Sequence, residues 1–271
     1  MSPEVAYDAL GGTLVLERRQ LLGLGRHARG SASAEDRRTL RAAGILDGGE
    51  IAPGLESLAQ AVGAPLLEIE LTMRRGGRRI EGYGWLDADT TVVAVPPAER
   101  PGAPAGVFSC PTPLLAHRLA AFVRLGPRPT SYADGILALR REAFERVSAQ
   151  AGPTGDPRGE LELDGDVPAA WMCSLTATGS LHWQVRLWHP ASHGELFDRR
   201  CEVLDTRGEG LWVIAPVPDA DDMIAVVSAN ATAVWRLLAT LLPTEGEAER
   251  LRDGPGAQSG ASPDYEVERA T

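Results

Sequence analysis

"LLEIELTMRRGGRRIEGYGWLDADTTVVAVPP", residues 66–97, decides the architecture. Short runs rich in strand formers are separated by turn signals, which marks strands rather than helices. "LLEIELTM" and "RRIEGYGWL" flank "RGGR", where Gly76 and Gly77 can take the positive φ of a tight hairpin turn. "DAD", Asp87 to Asp89, then turns the chain into "TTVVAVPP". A further short strand falls around Val107 and Phe108. After it, Thr112 and Pro113 open an amphipathic helix, "TPLLAHRLAAFVRL", which Gly126 and Pro127 close.

Upstream, "TLVLE" (Thr13 to Glu17) reads as a short strand. "ASAEDRRTLRAAGIL" reads as a helix, with Ser33 as N-cap, Asp36 three residues on and Gly44 near its end. "GEIAPGLESLAQAVGAP" gives a second short helix with Pro53 near its start and Gly63 past its end. Two helices thus precede the first sheet.

Downstream the order repeats. "YADGILALRREAFERVSAQ" reads as a helix with Ile136, Leu137, Leu139, Phe144 and Val147 broadly on one side. "AGPTGDPRGE" reads as a flexible connection and "VPAAWMCSLT" as a short helix. "SLHWQVRLWHP", "DRRCEVLDT" and "LWVIAPV" then alternate like antiparallel strands.

Residues 216–243, "PVPDADDMIAVVSANATAVWRLLATLLP", pose a choice. Asp219 could cap one long helix, but the β-branched run in "MIAVVSAN" suits a strand better than a helix interior. Asn230 is then the N-cap of "ATAVWRLLATLLP", and "PDADD" is a hairpin turn. On that reading Asp219, Asp221 and Asp222 are turn residues and not a catalytic site. The two halves end alike, "VFSCPTPLLAHRLAAFVRLGP" against "VVSANATAVWRLLATLLP", which points to an internal duplication. From 244 to 271 the sequence has almost no large apolar residues and reads as a disordered acidic tail.

Composition excludes several functions. The 271 residues are 44% hydrophobic and 24% charged, with a formal net charge of −10. No overall basic field attracts a phosphate backbone, so nucleic acid is not an expected partner. All 27 basic residues are arginine, which removes Schiff-base chemistry and a P-loop lysine. Cys110, Cys173 and Cys201 are odd in number and form no CxxC pair, which argues against a disulfide framework or structural zinc and fits a reducing compartment. No signal peptide or membrane span is apparent, so a cytoplasmic protein without membrane insertion is expected.

Candidate chemistry is sparse. His189 and His193, followed by Glu195 and Asp198, have a metal-like spacing, yet Pro190 after a strand makes the stretch a polar hairpin turn. Cys110 near a helix start with His117 allows a thiolate and a base, although cysteine is commonly a buried residue and no oxyanion loop accompanies it. No G-x-S-x-G elbow, GxGxxG fingerprint or other cofactor motif is present, so no catalytic, metal or cofactor residue is assigned. Trp183 and Trp188 are five positions apart, so on one strand they face opposite sides, one core and one surface or interface. "RRGGRR" is either a solvated hairpin tip or an arginine contact for an acidic partner.

The run "AEDRRTLRAAGILDGGEIAPGLESLAQAVGAPLLEIEL" resembles the amino-terminal half of the EspG family, the ESX secretion-associated proteins of actinobacteria. Leu40, Gly44, Ile45, Pro53, Leu55, Leu58 and Pro65 fill its pattern of apolar and turn residues. "CEVLDTRGEGLWVIAP" and "DDMIAVVSANATAVWRLLATLLP" resemble its closing strands and final helix. Met223 and Ser228 depart from it, standing where the family tends to have Trp and Pro.

The resemblance implies an α+β fold: a central, mainly antiparallel sheet flanked by two helical subdomains in a quasi-twofold arrangement. It implies one domain over residues 1–243, with halves of about 13–127 and 128–243. It also implies a non-enzymatic chaperone of type VII secretion that covers the exposed hydrophobic tip of PE/PPE-like or WXG-type substrates. On this resemblance the hairpin arginines Arg74, Arg75, Arg78 and Arg79 are expected to flank an apolar groove. Exposed aromatics of the carboxy-terminal sheet would lie in its floor, and Trp183, Trp188 and Trp235 are the expected contacts. Helices around Ile136 to Val147 and Ala231 to Leu242 would supply a bundle. A homodimer is a further possible partner arrangement, because an uncovered sheet also pairs with itself. The alternatives are a small hydrolase or transferase using His189, His193 or Cys110, and a secretion-system adaptor with the same fold but no PPE binding.

Overall fold

The computed structural model of the chain describes residues 7–8, 13–75, 78–96, 104–129, 136–150, 179–190, 196–206, 208 and 210–253. The first half runs β1 (Tyr7–Asp8), β2 (Thr13–Leu16), α1 (Arg18–Ala28), α2 (Ala34–Ala42), a small β3 (Leu46–Asp47) and β4 (Glu50–Ile51) pair, and α3 (Glu56–Gly63). Next come β5 (Leu67–Arg75), β6 (Arg78–Leu86), β7 (Thr90–Val95), β8 (Ala105–Pro111), a 3-10 turn (Thr112–Leu114) and α4 (Leu115–Phe122). The second half runs β9 (Ile136–Arg140), α5 (Arg141–Gln150), β10 (Leu181–Trp188), β11 (Asp198–Asp205), β12 (Leu211–Val217), β13 (Ala220–Ala229), α6 (Ala231–Thr240) and α7 (Glu245–Asp253).

The main strands form one antiparallel sheet in the order β1-β2-β8-β7-β6-β5-β10-β11-β12-β13-β9. From the centre outward, β5-β6-β7-β8-β2 mirrors β10-β11-β12-β13-β9. In each half the outermost strand of the set comes first in the chain, and a helix (α4 or α6) follows the last. The quasi-twofold therefore passes between β5 and β10, which pair from Glu68↔Trp188 to Arg75↔Leu181. The matching halves of the sequence, β8–α4 and β13–α6, occupy equivalent places in this arrangement.

Alternation along the strands builds three cores. One face of the central strands carries Leu67, Ile69, Leu71, Trp183, Val185 and Leu187, packed with Leu119 of α4, Val234 and Leu238 of α6 and Leu251 of α7. On the opposite face, Trp85, Val92 and Ala94 pack with Leu21, Leu24, Leu58 and Val62 of α1 and α3. At the far end of that same face, Trp212, Ile214, Ile224 and Val226 pack with Phe144 of α5. Helices thus cover one face at its centre and the other at its two ends.

Local chemistry agrees with the sequence at several element ends. Ser33 and Asp36 form a reciprocal capping box, and Gly44 has φ +69° past the end of α2. The Asn230 side chain accepts from the Ala233 amide at 2.8 Å, so α6 starts where its cap predicts.

Five expectations change. Helix α1 exists although "RRQLLGLGRHA" contains two glycines, because Leu21 and Leu24 are fully buried and Gly25 lets α1 approach α3 closely. The α3 helix begins at Glu56, past Pro53. Ile136–Arg140 is the edge strand β9 and not part of a helix: Leu137 and Leu139 point into a core while Ile136 and Arg140 are exposed. The turn after β12 is only Pro218 and Asp219, the latter at φ +61°, so Asp221 and Asp222 already lie on β13. The tail read as disordered from 244 begins with helix α7, whose Leu251 is buried at 6% exposure in the central core. The connection at 151–160, the short helix at 167–176, Gly76, Gly77, Cys173, His193 and Glu195 lie outside the described residues.

Candidate partner-binding surface

The β5–β6 hairpin pairs Arg74 with Arg79 and Arg75 with Arg78, so the four arginines are two cross-strand pairs on opposite faces. Arg74 and Arg79 share the face of Glu68, Glu70 and Thr72. Arg75 and Arg78 continue the face of Leu71 and Met73. Arg79 pairs with Glu81 at 2.8 Å, both well exposed, whereas Arg74, Arg75 and Arg78 have no acidic partner among the described residues. Four like charges at one tip repel each other, so the hairpin presents positive potential to an incoming anion on a chain of net charge −10.

Behind the arginines runs the middle of the sheet face that α1, α3 and α5 leave uncovered. Its side chains are mostly polar: Glu68, Glu70, Thr72 and Arg74 on β5, and Gln184 and Arg186 on β10, with Trp188 at the end. Arg186 grips Asp198 through two bonds of 2.9 and 2.8 Å and reaches Glu70 at 3.5 Å. Its hydrogen bond and charge hold the Asp198 carboxyl below its ordinary range despite burial. Burial pushes the Glu68 carboxyl up, Arg18 opposes this, and the neighbouring Glu70 adds to it. The floor is therefore mainly a charged trough and not the apolar groove expected, because apart from Trp188 at its end the apolar positions of β5 and β10 point to the other face.

The tryptophans separate accordingly. Trp183 is 1% exposed inside the central core, so it cannot contact a partner; the alternation that puts Leu187 inward puts it inward too. Trp188 is half-buried on the trough face, with the Arg186 guanidinium 5.8 Å from its ring centre and its indole N–H without an acceptor. Trp235, 45% exposed, lies on α6 on the other side of the sheet. Arginines, Trp188 and Trp235 thus form two surfaces rather than one.

The residues considered for catalysis are placed for structure. Cys110 is buried in β8 and burial pushes its thiol up, the reverse of an activated thiolate. Burial, with help from Glu202, pushes the Cys201 thiol up to about 12. His189 is 7% exposed, its burial disfavours the charged ring, and it donates to the Leu251 main-chain carbonyl. No group of three His, Cys, Asp or Glu able to hold a metal occurs among the described residues.

Sequence reasoning missed the buried charges. On β11, Glu202 is 2% exposed and bonded by Arg141 and His182, while Asp205, also 2% exposed, takes two bonds from Arg128 at 2.8 and 2.7 Å. These partners are 20 to 77 residues apart, so no local motif announces them.

No protein-family model matches the sequence, and no curated protein matches it. Among solved structures, the chain is similar to the type VII secretion system chaperone EspG5 of Mycobacterium tuberculosis, determined in complex with a PE25-PPE41 dimer. The likeness covers 85% of this chain and 97% of that one at a TM-score of 0.50, with 14% sequence identity. The chain has the fold of EspG5. The EspG fold accounts for the α+β class and the large antiparallel sheet carrying helices. Among the described residues no helix is long and apolar enough to cross a membrane.

Proposed function

We propose that this chain is a cytosolic, non-enzymatic chaperone of type VII secretion that binds a PE/PPE-like or WXG-type substrate and keeps it soluble for delivery. The likeness over most of the chain to EspG5 captured with a PE/PPE dimer carries this reading. The physical logic is that a secreted protein with a large apolar patch aggregates unless the patch is covered. One domain, in halves of about 13–127 and 128–243 and extended past 243 by α7, supplies the scaffold. Arg74, Arg75, Arg78 and Arg79 supply the charged contact, steering a partner with acidic residues beside its apolar tip. Trp188 at the end of the trough and Trp235 on α6 supply aromatic contact area.

Co-expression with PE/PPE-like or WXG-type pairs from the same genome, followed by size-exclusion chromatography, tests the reading. A stable complex should form, and it should weaken when all four hairpin arginines become glutamate. Binding that is indifferent to the charge reversal would remove the hairpin from the interface. A complex containing only this chain would instead favour the homodimer.

A further inference from the structure

We draw no further inference here: the strongest candidate, the apolar surface patch that half-buried Ala215 on β12, Met223, Ala225 and Val227 on β13 and exposed Ile136 and Ala138 on β9 form on the sheet face opposite α5, carries nothing because nothing in the structure shows what covers it.

Discussion

His182 Nε2 donates to Glu202 Oε1 at 3.0 Å, inside a network in which Arg141 reaches the same carboxylate at 3.2 Å and the Phe144 ring stands edge-on to the imidazole. The network fastens α5 to the sheet. Arg141→Ala leaves a buried carboxylate short of its cation and should cost about 3 kcal/mol of unfolding free energy. Arg146→Ala, which removes only an exposed pair with Glu142, should change stability by less than about 0.5 kcal/mol. Urea titrations of the two variants check the contrast.

Acid should weaken the fold through the same groups. Burial alone would raise the Glu202 carboxyl, but the hydrogen bonds and charges of His182 and Arg141 outweigh it and hold it below its ordinary range. Asp36 is lowered by its hydrogen bond from Arg26, and Asp198 by that from Arg186. A carboxyl whose folded pKa is depressed contributes stability above its unfolded pKa and loses it as pH falls through the folded one. The urea midpoint should therefore hold between about pH 5 and 8 and fall below about pH 4.

Glu68 has the opposite sign. Its carboxyl is pushed up by burial, so ionisation at neutral pH opposes folding and protonation relieves the cost. Glu68→Gln should raise the urea midpoint slightly at pH 7 and leave it unchanged near pH 3. A loss of stability at pH 7 would mean that the carboxylate is paired there.

Gly25 and Gly63 set the spacing of α1 on α3. A Cβ on Gly25 would lie 2.9 Å from Val62, and one on Gly63 would lie 3.0 Å from the Gly25 carbonyl. Gly25→Val should force the helices apart and cost about 2 kcal/mol, visible in thermal melts as a lower Tm.

Cys110 and Cys201 should behave as inert core residues. With both buried and both thiols shifted up, neither should be alkylated in the native state, and both should react after unfolding. Peptide mapping by mass spectrometry separates them from Cys173.

Much of the fold was legible because its strands are bounded by strong turn chemistry: the Asp87 turn and the Asn230 cap lie where the sequence puts them, and β5 pairs with β6 up to Arg75↔Arg78. The Asp87 carboxylate accepts from the Asp89 and Thr90 amides at 2.8 and 2.6 Å, as a turn aspartate does. Helix α1 was hidden by Gly23 and Gly25, whose helix-breaking cost is offset only by tertiary packing. "ILALR" carries apolar residues that suit either period, and α5 follows without a gap, so β9 merged with it. Helix α7 did leave a signal: Thr244 and Glu247 form a capping arrangement, with the Thr244 amide donating to the Glu247 carboxylate at 2.8 Å. The polar composition of the tail masked it. The site was less legible than the fold. Alternation separates Trp183 from Trp188, but only the layering of helices on the sheet decides which of them is buried in the central core.

The central claim is that this chain covers the exposed tip of a secreted helical heterodimer. Light scattering coupled to size-exclusion chromatography of the chain co-expressed with PE/PPE-like pairs measures it most directly. The account predicts one copy of this chain with one heterodimer, and free PE/PPE-like protein that precipitates when the chain is withheld. Soluble heterodimers that neither associate with this chain nor need it to stay in solution would contradict it.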